Sequence, residues 1–318
     1  MSSTALLLDP LYKQHETAFD HPEAPERMDA LLEIFKRAGL AARCLRIAPR
    51  RATLDEITRV HDRSYIDRVL REVADGVREL ANGDVSVCRQ SGDIALEAAG
   101  GAIAAVDLVM TGGAANAFCA VRPPGHHATP DAAMGFCIFN NVAAAARHAQ
   151  AVHGAERVAI VDWDVHHGNG TQDIFYDDHS VLFCSTHQSP WYPGTGAHTE
   201  RGEGRAEGTT INRPFRAGAG AEEILGAFRD HLLPTIREFH PDLVLISAGF
   251  DSRIGDPLGH FRLTDRDFHD LTEMVLEVAS DVCDERVVSV LEGGYSLDGL
   301  GRAATSHVLA LTGAVFGD

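Results

Sequence analysis

The sequence contains little cysteine and no long apolar run. Its six cysteines are dispersed without a Cys-x-x-Cys pair, which predicts reduced, mostly buried thiols and argues against a structural cysteine–zinc site. No run approaches the ~18 apolar residues that a membrane-spanning helix needs. Residues 1–9 contain only a short apolar run, residues 5–8, with no basic residue before it, so no signal peptide is expected. Together these absences predict a cytoplasmic protein with no membrane partner.

Basic residues are scarce as well. The 28 lysines and arginines are outnumbered by 46 aspartates and glutamates, which gives a formal net charge of −18. This balance argues against a nucleic-acid partner, because phosphates would be repelled, but it does not argue against a cationic substrate. The Gly-x-Ser-x-Gly motif of nucleophile-elbow hydrolases is absent, and the glycine-rich residues 194–208 lack the Lys-Ser/Thr of a phosphate loop.

Short β-branched runs alternate with helical stretches along the chain. The predicted strands are residues 118–121, 157–161, 181–184, 243–246 and 287–291. The predicted helices are residues 94–110, 142–152, 221–238, 265–282 and 297–311. This alternation predicts a three-layer α/β/α fold. Residues 25–80 are predicted to be largely helical and to pack outside the sheet. Because no linker or repeat interrupts the sequence, residues 1–318 are predicted to form a single domain.

Polar and titratable residues follow four of the predicted strands. Ligands bind at the carboxyl ends of the strands in an open parallel sheet, so we expect these residues to converge at one edge. They are His126 and His127 after the first strand, Asp162, Asp164 and His166 after the second, Asp251 after the fourth, and Tyr295 after the last.

Asp164 and His166 carry the pattern of a metal site. Positions i and i+2 of an extended segment project to the same face, so the carboxylate and the imidazole point at a common position. Asp251 arrives there from another strand end, and two aspartates with one histidine make a three-ligand site with room for water, as a catalytic zinc requires. The alternative is a loop of satisfied polar residues. The flanking Gly168-Asn-Gly170 and the aspartate from a second strand favour the metal site.

His126, His127 and Tyr295 are candidates for proton transfer and charge stabilisation. The two histidines follow a rigid Pro-Pro-Gly turn, which gives a general base fixed placement, and Asp162 could hold one imidazole by accepting its distal N–H. Tyr295 follows two glycines and could donate to a developing oxyanion. The alternatives are two surface histidines and a packed aromatic ring.

Aromatic residues on two further loops could form a narrow apolar channel. Gly135-Phe136 supplies one of them. Trp191 and Tyr192 lie in a Pro/Gly-rich loop rather than in an amphipathic element, which favours channel walls over core packing.

These motifs resemble those of the histone deacetylase family in the arginase–deacetylase superfamily, closest to class II and its bacterial relatives. The matching stretches run in family order over nearly the whole chain. They are His21-Pro-Glu-x-Pro-Glu-Arg27, Arg122-Pro-Pro-Gly-His-His-Ala128, Gly135-Phe-Cys-Ile-Phe-Asn-Asn141, Asp162-Trp-Asp-Val-His-His-Gly-Asn-Gly-Thr171, Pro193-Gly-Thr-Gly196, Ser247-Ala-Gly-Phe-Asp251 and Leu291-Glu-Gly-Gly-Tyr295. The resemblance implies an open, mainly parallel eight-stranded sheet with flanking helices, the arginase–deacetylase fold.

The resemblance also implies a zinc-dependent amidohydrolase and a role for each site residue. His127 would act as general base and later protonate the leaving amine, while His126, paired with Asp162, would support it electrostatically. Tyr295 would polarise the amide carbonyl and stabilise the oxyanion. One zinc ion per chain would be held by Asp164, His166 and Asp251.

Further implied residues surround this centre. Asn169 stands at the position that partners the second histidine, which matches class II, and the retained Tyr295 predicts an active enzyme. The resemblance implies an acyl-lysine tunnel lined by Gly135, Phe136 and Tyr192. It also implies a potassium ion whose ligands would be Asp162, Asp164, His166, Ser185 and the backbone of Thr186.

The implied substrate is an acylated amine, either an Nε-acyl-lysine or an acetylpolyamine. A polyamine-selective class II relative has Glu where this sequence has Leu258. Loss of that carboxylate removes a charge partner for a second ammonium and favours acyl-lysine. The sequence leaves open the acyl chain length, the physiological substrate, homo-oligomerisation, and zinc against iron as the metal in the cell.

Two functions of other classes remain as alternatives. A non-catalytic acyl-lysine-binding protein on the same fold is disfavoured, because every catalytic position is retained. An arginase-like dimetal ureohydrolase is disfavoured because such enzymes use more bridging carboxylates than residues 162–167 and 250–251 supply.

Overall fold

Eight parallel strands form one continuous sheet in the computed structural model, which describes residues 3–80 and 83–316. The strands are β1 (Thr4–Leu8), β2 (Leu45–Arg46), β3 (Asn116–Ala120), β4 (Val158–Asp162), β5 (Val181–Gln188), β6 (Thr210–Phe215), β7 (Leu243–Ala248) and β8 (Val287–Leu291). Their order is β2-β1-β3-β8-β7-β4-β5-β6. The eight-stranded open α/β sheet is therefore confirmed, and every neighbouring pair of strands is parallel.

The five predicted strands lie in the interior of this sheet. All residues of β3, β4, β5, β7 and β8 are buried, so their side chains meet apolar neighbours on both faces of the sheet. That burial explains the continuous apolar runs from which they were predicted.

Three strands outside the prediction extend the sheet on both sides. The apolar run at residues 5–8 belongs to β1, and β6 forms one edge with only part of its residues buried. The expectation that residues 25–80 lie outside the sheet is wrong at Leu45 and Arg46, which pair with Ala5 and Leu6 as the other edge. A two-residue, exposed strand carries no hydrophobic pattern, so long-range pairing alone defines it.

Helices cover the sheet in two groups. They are α1 (Glu26–Arg37), α2 (Leu40–Arg43), α3 (Leu54–Ile57), α4 (Arg63–Asp75), α5 (Ser91–Met110), α6 (Asn141–His153), α7 (Asn169–Phe175), α8 (Ala221–Ala227), α9 (Leu233–Phe239), α10 (Asp265–Cys283) and α11 (Leu297–Leu311). Helices α5 and α6 pack against each other and the sheet, whereas α1 and α10 both pack against α11. Residues 228–232 connect α8 and α9 through a π-helical turn.

The strand order explains why the candidate residues meet. Strands β3, β8, β7 and β4 are consecutive neighbours in the middle of the sheet. Each is followed by one of the polar segments that the sequence singled out, so four adjacent strand ends supply side chains to one crevice.

Two further features concern the cysteines and the length of the helices. All six cysteines are free; five are buried and Cys44 is half-buried. Among the helices of residues 3–80 and 83–316, none is both long enough and apolar enough to cross a bilayer.

Candidate active site

Asp164, His166 and Asp251 form a buried cluster beyond the ends of β4 and β7. Each residue offers one ligand atom, and these atoms all lie within 4.8 Å of one another. The Nδ1 atom of His166 lies 3.0 Å from Oδ1 of Asp164 and 3.1 Å from Oδ2 of Asp251. Burial and the charge of Asp164 raise the pKa of Asp251 to about 7. A cation at this point would relieve the repulsion between the carboxylates, and the oxygen and imidazole donors suit zinc.

Two glycines bring the backbone close to these carboxylates. The N–H of Gly293 donates to Oδ2 of Asp164 over 2.8 Å, and a Cβ atom at Gly293 would lie 2.1 Å from Oδ2 of Asp251. A Cβ atom at Gly249 would lie 2.1 Å from Oδ2 of Asp164. No larger residue fits at either position without moving a carboxylate of the cluster. The available signal in the sequence was a glycine beside a polar residue at a strand end.

His126 and His127, which follow β3, stand beside this cluster. The Nδ1 atom of His126 lies 3.0 Å from Oδ2 of Asp162, and the Nδ1 atom of His127 lies 2.8 Å from Oδ1 of Asn169. The centroids of the two imidazole rings are 4.0 Å apart. Because an amide oxygen only accepts, Nδ1 of His127 donates to Asn169, and Nε2 keeps its lone pair when the ring is neutral.

The two imidazoles differ in charge. Burial lowers the pKa of His126, but the carboxylates of Asp164 and Asp162 outweigh this effect and raise the pKa to about 10. Burial, together with the positive charges of His126 and His166, holds the pKa of His127 well below its ordinary value. The pair therefore combines a charged imidazole with a neutral one that can accept a proton.

Glu292, at the end of β8, anchors the turn that carries both histidines. Its Oε2 atom accepts hydrogen bonds from the N–H groups of Gly125 at 2.6 Å and His126 at 3.1 Å. Burial raises the pKa of its carboxyl to about 7. This function of Glu292 was not predicted from the sequence; an acidic residue directly after a fully buried strand was the available signal.

Tyr295 is held by two further residues whose roles were not predicted from the sequence. Oδ2 of Asp256 accepts the N–H of Tyr295 over 2.7 Å. Arg27 donates to the carbonyls of Glu292 at 2.6 Å and Gly294 at 2.7 Å, and its guanidinium lies 5.1 Å from the Tyr295 ring centroid. Burial raises the pKa of the Tyr295 hydroxyl well above its ordinary value, so the phenol keeps its proton.

A pocket of about 300 Å³ opens onto these groups. It contains all the residues predicted to line the channel or contact the substrate, and one residue that was not predicted, Asp84. The lining residues are Asp84, His127, Gly135, Phe136, His166, Trp191, Tyr192, Leu258 and Tyr295.

Phe136 enters the pocket from a tight turn. The backbones of Met134 and Cys137 exchange hydrogen bonds of 3.1 and 2.9 Å, and Gly135 and Phe136 have φ angles of 54° and 66°. This is the pattern of a type I′ turn, which requires two successive residues with positive φ. The Phe136 ring meets the Tyr295 ring edge-on, with centroids 5.9 Å apart.

Asp84 connects the two walls of the pocket. Its Oδ2 atom accepts the Tyr192 hydroxyl over 2.8 Å and the N–H of Gly135 over 3.1 Å. Its Oδ1 atom is buried and has no hydrogen-bond partner among the described residues. Nothing around Asp84 in the sequence signals this position, because only tertiary packing brings it to the pocket.

Three of the five residues expected around a potassium ion lie on neighbouring strands. Asp162 pairs with Ser185 in the register between β4 and β5, and Thr186 follows on the same strand. All three residues are buried. Ser185 also shares a hydrogen bond with Nδ1 of His187, over 2.9 Å.

We expect Gly135→Ala to lower kcat at least tenfold while the protein stays folded. A Cβ atom at residue 135 would lie 2.3 Å from Cδ2 of His127, so the imidazole must move, and small displacements of catalytic groups cost large factors in rate. Steady-state kinetics and thermal unfolding measure both quantities. Gly112→Ala is the matched control, because Gly112 also has a positive φ of 74° but nothing lies within 4 Å of its Cβ position. Wild-type kcat in Gly135→Ala would contradict the prediction.

Comparison with known proteins identifies the family of this chain. Residues 21–311 match the family model described as the histone deacetylase domain. The chain therefore belongs to the histone deacetylase family, which confirms the resemblance found in the sequence.

Individual relatives and a solved structure support the same assignment. The chain is 39% identical over 298 residues to a probable deacetylase of Archaeoglobus fulgidus, covering 93% of this chain and 82% of that protein. It is 41% identical over 303 residues to the human polyamine deacetylase HDAC10, covering 92% of this chain and 44% of that protein. The crystal structure of the HDA15 HD domain superposes with a TM-score of 0.94 at 40% identity, covering 98% of this chain and 90% of that one. Deacetylation is the reaction class that these findings support.

Proposed function

We propose that this chain is a zinc-dependent deacetylase that hydrolyses the amide of an acylated lysine side chain or a related acylated amine. One observation carries the proposal. The buried Asp164–His166–Asp251 cluster, the His127 imidazole and the Tyr295 ring adjoin one aromatic-walled pocket. A metal site, a proton acceptor and a hydroxyl donor in the same pocket are what metal-assisted amide hydrolysis needs.

Asp164, His166 and Asp251 would hold the zinc. Their donor atoms and burial fit a divalent cation, and three protein ligands leave room for water and substrate. When bound, zinc would act as a Lewis acid toward the acyl carbonyl and make nearby water more acidic.

His127 would take the proton from the attacking water. Its ring is fixed through the hydrogen bond of Nδ1 to Asn169, and its lowered pKa keeps Nε2 free to accept. Once protonated, the same imidazole would pass the proton to the leaving amine. His126, held by Asp162, would supply a fixed positive charge beside it.

Tyr295 would donate its hydroxyl proton to the oxygen that becomes negatively charged on the acyl carbon. A phenol that stays protonated can do this without adding charge to the site. Phe136 and Tyr192 would enclose the aliphatic chain of the substrate and exclude water from it.

We extend the proposal to a potassium ion near the active site. The adjacent β4 and β5 backbones support it, since they bring Asp162 beside Ser185 and Thr186. Asp164 and His166, which follow β4, would complete its ligands. Carboxylate, hydroxyl and carbonyl oxygens are the donors that hard cations prefer.

The dimetal alternative loses support from the position of His167. Its Nδ1 atom lies 2.8 Å from Oγ1 of Thr195 and its Nε2 atom lies 3.1 Å from Oε1 of Gln172. Both ring nitrogens are therefore engaged away from the Asp164–His166–Asp251 cluster. These contacts disfavour His167 as a ligand of a second metal ion at this cluster.

Two substrate classes are favoured by different residues. Leu258 lines the pocket where a polyamine-selective relative has an acid, which favours acyl-lysine. Asp84 favours an acetylpolyamine, because its carboxylate lines the same pocket and offers a charge partner for a second ammonium. A direct test compares kcat/KM for acetyl-lysine peptides, acetylputrescine and acetylspermidine. A clear preference for acetylpolyamines would overturn the assignment to acyl-lysine.

Asp84→Asn separates these substrate classes. If an ammonium pairs with Asp84, kcat/KM for acetylspermidine should fall about tenfold, equivalent to about 1.4 kcal/mol, while that for an acetyl-lysine peptide changes less. Leu258→Glu should raise kcat/KM for acetylspermidine relative to that for the acetyl-lysine peptide. Leu258→Gln is its uncharged control. An equal loss on both substrates in Asp84→Asn would show that Asp84 only connects the pocket walls.

Three expectations stay predictions from the sequence: a single domain, a cytoplasmic location and no nucleic-acid partner. The sequence leaves homo-oligomerisation open.

A further inference from the structure

Outside the active site, Asp107, His148 and His153 form a second cluster of metal-ligating side chains that the proposed reaction does not use. Their ligand atoms all lie within 4.8 Å of one another. Oδ1 of Asp107 lies 2.7 Å from Nε2 of His148 and 2.8 Å from Nε2 of His153. We propose that this cluster binds a divalent transition-metal cation such as Zn²⁺.

The cluster joins two packed helices near their carboxyl-terminal ends. Asp107 lies in the last turn of α5, which ends at Met110, and His153 is the final residue of α6. Helix carboxyl termini carry partial negative charge, which favours a cation. A bound cation would therefore link α5 to α6 at a point where both helix dipoles attract positive charge.

A carboxylate lies behind one of the imidazoles. Oε1 of Glu56 is 3.6 Å from Nδ1 of His148, and Arg50 pairs with the Glu56 carboxylate. Metal-binding histidines commonly donate their second ring N–H to a carboxylate, which orients the ring. The Arg59 guanidinium lies 3.4 Å from the same Nδ1 and adds an opposing positive charge; because a guanidinium only donates, Nδ1 is the acceptor in this contact. A cation bound through Nε2 of His148 would therefore require the ring proton to be on Nδ1, where it faces the Glu56 carboxylate.

The cluster is accessible from solvent, and its ligand atoms favour particular metal ions. The side chain of Asp107 is 42% exposed, whereas that of His148 is buried, so an ion can enter from solvent and keep water as a further ligand. Two imidazoles and one carboxylate suit Zn²⁺, Co²⁺ or Ni²⁺ better than Mg²⁺ or Ca²⁺, which prefer oxygen ligands alone. The Asp164–His166–Asp251 cluster has comparable carboxylate–imidazole separations, 3.0 and 3.1 Å.

Titration of the full chain with Zn²⁺ tests the proposal. Bound zinc is counted by elemental analysis after gel filtration, and affinity is measured by calorimetry, for wild type, His153→Ala and Asp107→Asn. We expect wild type to bind one more zinc per chain than His153→Ala, and Asp107→Asn to bind this zinc at least about tenfold more weakly. His231→Ala, which removes an exposed histidine elsewhere, should keep the additional zinc.

Thermal unfolding provides a second readout. Added zinc should raise the Tm of wild type more than that of His153→Ala, since binding to the folded state alone stabilises it. Equal zinc content in the two proteins would overturn the proposal and leave the cluster as two imidazoles hydrogen-bonded to one carboxylate. Loss of the active-site zinc would lower the zinc content of wild type and of His153→Ala equally. A failure of the proposed deacetylase function can therefore be told apart from a failure of this proposal. If His153→Ala does not fold, the half-exposed Asp107→Asn gives the same comparison.

Discussion

Removal of zinc by a chelator should abolish hydrolysis of an acetyl-lysine peptide, and added zinc should restore it; this is the largest effect that we expect. The Lewis-acid contribution of such an ion is worth several kcal/mol, which corresponds to a rate loss of more than about 10³-fold. The buried carboxylates of Asp164 and Asp251, with His166 between them, provide the donor set for this ion. Activity assays before chelation, after chelation and after zinc addition make the measurement.

Two variants show which of the two clusters holds the zinc that activity requires. Asp251→Ala should lose the active-site zinc and remain inactive when zinc is added. His153→Ala should respond to chelation and rescue as wild type does, because its cluster lies outside the pocket. Thermal unfolding of each variant separates loss of metal from loss of fold. Full activity of a chelated sample that elemental analysis shows to be metal-free would refute zinc dependence.

Tyr295→Phe should lower kcat by about 10²–10³-fold, the typical effect of removing one oxyanion donor. The substitution deletes only the hydroxyl, so the ring can keep its contacts with Phe136 and the Arg27 guanidinium. KM and zinc content should change little, because the hydroxyl acts on charge that develops during the reaction rather than on metal binding. Steady-state kinetics and elemental analysis measure these quantities together.

Tyr192→Phe is the matched control for this variant. Tyr192 lines the same pocket, but its hydroxyl donates to Asp84 over 2.8 Å instead of being free for the substrate. Its removal should therefore leave kcat within a few-fold of wild type. A wild-type kcat in Tyr295→Phe, or an equal loss in both variants, would show that Tyr295 does not stabilise the oxyanion.

Most of the fold and the cluster residues could be predicted because their signals are local. Strands buried on both faces appear as continuous apolar runs, and β4 and β7 were found in this way. The residues after such strands share one sheet edge for geometric reasons, so Asp164 and Asp251 were expected to meet before any distance was known.

Edge strands could not be predicted in the same way. An edge strand has one neighbour and partial burial, so β2, with two exposed residues, and β6, with a mixed pattern, lack a sequence signature. Their existence depends on the partner strand that the rest of the chain provides.

The local sequence predicts the strands of the sheet interior, the Asp164–His166–Asp251 cluster, the two histidines and Tyr295, because each lies in a strand or within a few residues of a strand end. Only the tertiary structure brought Asp84 to the pocket, Glu292 to the histidine turn, and Asp107 of α5 beside the histidines of α6. Each of these contacts joins segments far apart in the chain. Their geometry follows from how the strands and helices pack against one another.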